Sequence, residues 1–178
     1  MEKIIIIGAI IGIVFYLISK FNYFKTSEQQ IKREKSGIDV ALTRRHDELQ
    51  KMQDSVKGIM KHEKEVLVEV VQVRNGMSVQ EMAEAESQMD RAYSQLMALA
   101  ESYPQITSSA NFLKLQDSIS TNELELQAAR RCYNATVTEF NQNVVSFPTN
   151  LLAKLFKVET ADVFEATPEK REDIKLEF

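Results

Sequence analysis

The stretch ALTRRHDELQ, Ala41 to Gln50, sets four ionisable side chains in a row, Arg44, Arg45, His46 and Asp47, inside an otherwise amphipathic helical pattern. A helix turns about 100° per residue, so four consecutive charges sweep most of its circumference and at least one faces the apolar seam. Extending a heptad outward from this stretch gives seam residues Ile31, Ile38, Leu42, Arg45, Leu49, Met52, Val56, Ile59, Glu63, Val66, Val70 and Val73. Arg45 and Glu63 alone break it. The pattern predicts a helix of about 45 residues, or two collinear pieces, between Ser27 and Arg74.

Composition agrees with a helical chain. With 44% hydrophobic and 27% charged residues, 178 residues suffice for one folded domain with a core. Five glycines and three prolines supply few turns, while Glu, Lys, Gln, Ala, Leu and Met favour helices, so the expected class is all-α. The lone Cys132 excludes an internal disulfide and reads as a small buried hydrophobe. A net charge of -4 gives no global attraction to nucleic acid. Residues 25–64 carry 10 Lys/Arg against 7 Asp/Glu, and residues 157–178 carry 4 against 7. The basic end adjoins the hydrophobic start, where an anionic lipid surface would meet it.

Beyond Arg74, the turn sequence RNGMS leads to Ser78, which can cap a second helix with Glu81 completing a capping box. That helix carries Met82, Ala85, Met89, Ala92, Tyr93, Leu96 and Leu99 on one face and is stopped by Pro104. A third helix from near Ser109 presents Phe112, Leu115, Ile119, Asn122, Leu126, Ala129, Tyr133, Val137, Phe140 and Val144, and SFPTN ends it. Thr149 or Asn150 can cap a short fourth helix, Leu151 to Phe156. Long helices with single apolar stripes pack as an antiparallel bundle of three long helices and a stub, over residues 25–156. Residues 157–178 form an acidic tail closing on IKLEF, which alternates as a short extended segment does.

The first 24 residues read as a membrane anchor. IIIIGAIIGIVFYLI, Ile4 to Ile18, is uncharged. Fifteen residues span about 22 Å of a roughly 30 Å hydrocarbon core, and snorkelling Lys3 and Lys20, with an aromatic belt of Phe21, Tyr23 and Phe24, extend the reach. A cleaved signal peptide is disfavoured by the bulky, basic LISKFNYFK that follows. Lys20, Lys25, Lys32, Arg33 and Lys35 outweigh Lys3, so the positive-inside rule places the bundle in the cytoplasm, with an external bundle as the alternative orientation. Gly8 and Gly12 form a small-xxx-small face that lets membrane helices approach closely.

In the heptad register Arg45 faces the seam, and Glu101, Asn122 and Glu123 are the expected partners for its guanidinium. Metal ligation fails on spacing. HEKEV at His62 has valine where a metalloprotease has its second histidine, and His46 and His62 lie 16 residues, about 160° of helix, apart. No phosphate loop or nucleophile elbow occurs, and the basic stretch is not interleaved with stacking aromatics. The expectation is no enzyme, no cofactor, no metal and no nucleic acid.

RRHDELQKMQDSVKGIMKHE (residues 44–63), AESYPQITSSANFLKLQ (100–116), STNELELQAARRCYNATVTEFNQNVVSFPTNLLAKLF (120–156) and the closing IKLEF resemble the bacterial LemA family in order and spacing. The resemblance implies one amino-terminal membrane helix followed by a long antiparallel bundle, and no established catalysis. Among its motif positions are Arg44, Arg45, His46, Asp47, His62, Glu63, Arg74, Glu101, Glu123, Arg130, Tyr133, Asn134 and Asn141. The chain departs where the family continues Leu-Ile-Pro-Asn-Leu and this one has Glu48-Leu49-Gln50-Lys51-Met52, and where Thr121 replaces a favoured glutamate. Losing that proline removes an expected kink. A relative associated with organelle membranes implies a role in organising membrane.

These readings give an expected structural polar network of Arg44, Arg45, His46, Asp47, His62, Glu63, Glu101, Asn122, Glu123 and Asn134. They also give an expected function, a scaffold of the bacterial inner membrane that homo-oligomerises and shapes the bilayer. A membrane-tethered adaptor for another membrane protein, such as a protease or secretion component, is the alternative.

Overall fold

A computed structural model describes residues 1–59, 70–74 and 76–165, and every regular element among the described residues is helical. The helices are α1 (Glu2–Ile59), α2 (Val79–Glu101), α3 (Pro104–Thr107), α4 (Ala110–Val145) and α5 (Thr149–Leu155). The all-α expectation holds.

The anchor and the first bundle helix are one element. Between the apolar start and the Arg45 stretch there is no proline, and a Lys25 to Glu28 ion pair at 2.9 Å supports the helix across the expected boundary. The helical expectation fails at the other end. Val70 to Arg74 are not helical, so Val70 and Val73 are half-buried from irregular chain rather than from a seam. Val70, Val71 and Val73 are β-branched and lose side-chain freedom in a helix, which weakens helical structure there. Glu63, Val66 and the closing IKLEF lie outside the described residues.

The chain divides into two compact units, Met1–Lys35 with Cys132–Val163, and Ser36–Arg131 with the chain from Phe164 on. In the second unit, Ile38, Leu42, Leu49, Met52 and Val56 of α1 are buried. Met82, Ala85, Met89, Ala92 and Leu96 of α2 and Phe112, Ile119 and Leu126 of α4 are buried as well. Their three- and four-residue spacings are those of single apolar stripes. Pairings set the directions. Ala41, Arg45 and Glu48 of α1 meet Asn122, Glu123 and Ser118 of α4, and Glu86 and Asp90 of α2 are joined to Arg130 and, through Arg45, to Glu123. Thus α4 runs antiparallel to both, while α1 and α2 run alike. Two helices running alike cannot be joined by a tight turn, and in the sequence the connection between Ile59 and Val79 is a long one.

That connection ends in a β-turn in which Met77 N–H donates to Arg74 C=O at 3.4 Å, with Gly76 at φ 87 taking the left-handed conformation that suits glycine. The expected capping box follows. Glu81 N–H donates to Ser78 Oγ at 3.1 Å, and Ser78 N–H donates to the Glu81 carboxylate at 2.6 Å. At α4, Phe112 N–H donates to Ser109 Oγ at 3.2 Å.

In the first unit, Phe24, Phe140, Ala153 and Val158 form a core, with Tyr23, Ile31, Val144, Leu152 and Phe156 packed on it. The aromatic residues expected as a membrane belt are therefore largely bundle residues. Phe24 is fully buried with its ring edge-on to Phe140, and Phe21 meets Phe156 edge-on at 5.1 Å. An aromatic cluster just past an apolar run fits either role by sequence, and the partners on α4 and α5 decide it here. The expected side-chain cap of α5 is absent. Thr149 Oγ1 instead donates back to the carbonyls of Asn143 and Ser146, satisfying the end of α4. At the far end of α5, Val158 N–H donates to Ala153 C=O at 2.8 Å and Lys157 N–H to Lys154 C=O at 3.3 Å, a Schellman closure with Lys157 at φ 54. It turns the chain into an extended strap along α4.

Candidate functional site

Four of the residues singled out by sequence, Arg44, Arg45, Asn122 and Glu123, meet at one level of the second unit. The Arg45 side chain is 5% exposed; its Nη2 donates to Asp90 Oδ1 at 2.6 Å and its Nη1 lies 2.8 Å from Glu123 Oε2. A planar guanidinium can address two carboxylates on different helices at once, so one residue of α1 ties α2 to α4. Burying it requires such partners, because an unpaired buried charge is strongly destabilising.

The node has neighbours on both sides. Arg44 reaches Glu125 at 2.8 Å and Glu48 at 3.4 Å, and Glu48, nearly buried, accepts the Ser118 hydroxyl. Asn122 is fully buried and its Nδ2 donates to the Ala41 carbonyl at 3.2 Å. On α2 the buried Glu86 accepts from Arg130 Nη1 at 2.6 Å, and the Arg130 guanidinium lies 5.2 Å from the centre of the Phe164 ring.

The expected set is thus gathered only in part. Arg45 pairs with Glu123 as expected, and Arg44 and Asn122 join through Glu125, Glu48 and Ala41. His46 is half-buried with Nδ1 donating to the Val71 carbonyl at 3.0 Å, which steadies the irregular chain against α1. Asp47 is exposed. Glu101 is exposed too, and Asp90 takes its place. Because α2 runs alike with α1, Asp90 is level with Arg45, and Glu101 lies about 16 Å further along the helix. Asn134 is half-buried in the first unit, away from the node. His62 and Glu63 lie outside the described residues. Cys132, expected to be buried, is exposed; it lies between Arg131, also exposed, and the buried Tyr133, on the outward side of α4.

The expected network left out Asp90, Glu48, Glu86 and Arg130, of which Arg130 stood only among the motif positions of the resemblance. Glu86 carried a signal, since it falls on the stripe of Met82, Ala85, Met89 and Tyr93, and a carboxylate on an apolar stripe calls for a cation. Among the described residues, no three His, Cys, Asp or Glu side chains come together as a metal set. An open hollow of about 600 Å³ is bordered by Val71, Arg74, Met77, Glu81, Glu84 and Gln88, and charged rims such as these are solvated.

The strap is held by its own polar contacts. Tyr133 is buried and its hydroxyl donates to the Asp162 carbonyl at 2.8 Å, while the Asn141 amide both donates to the Ala161 carbonyl and accepts from the Ala161 N–H, each at 2.8 Å. Burial first, and then the Asp162 charge, raise the Tyr133 phenol above its ordinary 10.0. The unfolded chain therefore loses this proton before the folded one does. Its contribution is complete below pH 10 and is lost as pH rises through the raised value. Tyr133→Phe should flatten that alkaline decline and cost about 1 kcal/mol at neutral pH, read by denaturant titrations across pH. An unchanged alkaline limb would contradict the assignment.

The amino-terminal part of α1 is the second feature. Its apolar window has mean hydropathy 2.5 and none of it is buried, so by length and composition it can cross a membrane. An added Cβ at Gly8 or Gly12 would meet nothing within 4 Å. Together these features define a helical-bundle protein with a candidate membrane segment at the start of its first helix. The chain belongs to the LemA family, whose family model matches residues 34–178. It is similar to Protein LemA of Metamycoplasma hominis, with 30% identity over 170 residues, 92% of this chain and 78% of the relative.

Proposed function

We propose that this protein is a non-enzymatic scaffold, anchored in the membrane by residues 4–18, whose copies associate and so organise the bilayer around them. The observation that carries this reading is α1 itself: one helix holds both an uncharged apolar run of which none is buried and the Arg45 node of the bundle. Exposed apolar helix on this scale is unstable in water and stable in lipid. The polar groups of the node are turned to one another across α1, α2 and α4, an arrangement suited to holding helices in register. The Gly8 and Gly12 face offers close approach to a second anchor.

Substituting both glycines with isoleucine tests the association. Bulkier side chains keep the segment apolar but hold neighbouring backbones apart, so crosslinking between anchors in native membranes should fall several-fold while membrane retention is unchanged. Unchanged crosslinking would remove this face from the assembly. A chain that is monomeric in native membranes but captures one heterologous membrane protein in stoichiometric amount would replace the scaffold with the adaptor reading.

A further inference from the structure

The first unit exposes a second apolar surface. Phe147, Leu151 and Leu155 are 80%, 57% and 66% exposed and follow one another at four-residue intervals through the corner before α5 and along α5. Val145 at the end of α4 is exposed as well. The opposite side of α5 is also apolar, with Ala153 in the core and Leu152 and Phe156 packed on it. A short helix that is apolar on both sides needs a second apolar environment, because water suits only a polar outer face.

Its place in the unit says which environment. The Phe156 ring meets Phe21 of α1 edge-on at 5.1 Å, and Phe21 lies three residues past Ile18, where the uncharged run ends. Three residues of helix advance about 4.5 Å, within the roughly 5–7 Å of headgroup region on each side of the hydrocarbon core. With α1 inserted as far as Ile18, α5 therefore lies at the depth where amphipathic helices settle. Lys154 and Lys157 are exposed beside this surface, and Lys20 lies 5.4 Å from the centre of the Tyr23 ring; such side chains rest their stems on apolar groups and leave their charges among phosphates.

We infer that Phe147, Leu151 and Leu155 form a second membrane contact, dipping the α4–α5 corner into the interface of the bilayer that α1 enters. This rests on the anchor reading given above and adds to it. The corner contact sets how the first unit meets the lipid surface, and it wedges apolar volume into one leaflet beside each anchor. Interfacial wedges of this kind respond to lipid packing and curvature, which is a route by which many copies would shape a membrane.

The chain contains no tryptophan, so a single introduced one is a unique reporter. Three full-length variants, Leu151→Trp, Ile11→Trp and Val40→Trp, are reconstituted in phosphatidylcholine and phosphatidylglycerol vesicles carrying bromine either high or low on the acyl chains. Position 151 should lose emission to the high bromines and shift to the blue, position 11 should respond to the low bromines, and position 40 to neither. Adding Phe147→Ser and Leu155→Ser to Leu151→Trp should restore most of the lost emission, with helix content by circular dichroism confirming that the chain still folds.

Quenching at 11 without quenching at 151 overturns the corner contact and leaves the anchor standing. A blue shift at 151 that depends on protein concentration and not on bromine assigns this surface to another protein chain and overturns it as well. Equal quenching at 151 and 40 means general adsorption, which also overturns it. Absence of quenching at 11 overturns the anchor reading itself, and the corner contact with it.

Discussion

Arg45→Met is expected to lower the stability of the second unit by about 2–3 kcal/mol, read by denaturant unfolding of the full-length chain in micelles. Removing one member of a buried ion pair typically costs about 3–5 kcal/mol, because the remaining charges stay desolvated. Asp90 and Glu123 are each 30% exposed and recover part of their hydration, which brings the expectation to the lower figure. A lysine at 45 keeps the charge but not the fork that reaches two helices, so Arg45→Lys should fall between wild type and Arg45→Met. Replacing Arg45 by Met together with Asp90 and Glu123 by Leu should recover most of the loss in stability. The recovered chain should be less selective in register and assembly, which is what a polar lock supplies. An Arg45→Met chain as stable as wild type and of the same oligomeric size would contradict the lock.

Phe24→Ala has a comparably large expectation in the first unit. Phe24 is fully buried against Phe140, Ala153 and Val158, and emptying such a site costs about 3–5 kcal/mol. Phe21 is 43% exposed, so Phe21→Ala should cost well under half as much. The same pair separates two roles for the aromatic cluster. If the rings served as a membrane belt, both substitutions would alter insertion while leaving the unfolding midpoint alone. A loss of thermal stability that is large for Phe24→Ala and small for Phe21→Ala is the outcome that the edge-on ring contacts require.

The seam around Arg45 was legible because burial and helical period leave the same mark on sequence. Ile38, Leu42, Leu49, Met52 and Val56 are all buried, and Arg45 lies buried in the gap between Leu42 and Leu49. The partner on α2 was not legible. Choosing Glu101 over Asp90 amounts to choosing a direction for α2, and Val70 and Val73, which are not helical, fit the helical heptad on paper. Periodicity alone does not separate a valine-rich helix from irregular chain. Continuity of α1 was likewise hidden, since the composition changes abruptly near Ser19 and Lys20 while the backbone does not.

The strap after α5 was hidden for another reason. Its hold on α4 comes from single side chains, Tyr133 and Asn141, bonding main-chain groups of Asp162 and Ala161, and such bonds carry no periodic signature. Its acidic composition marked it only as a tail, yet Val158 and Phe164 are buried. Cys132 failed as a buried residue because its small size says little about which side of a helix it occupies, whereas Tyr133 beside it is placed by the apolar stripe of α4.

The mass of the full-length protein extracted together with its lipids, by mass photometry or single-particle imaging, tests the scaffold most directly. The expected result is a lipid-retaining assembly whose mass is many times the 20.4 kDa of one chain. A monodisperse 20.4 kDa chain in both native membrane extract and detergent would contradict it.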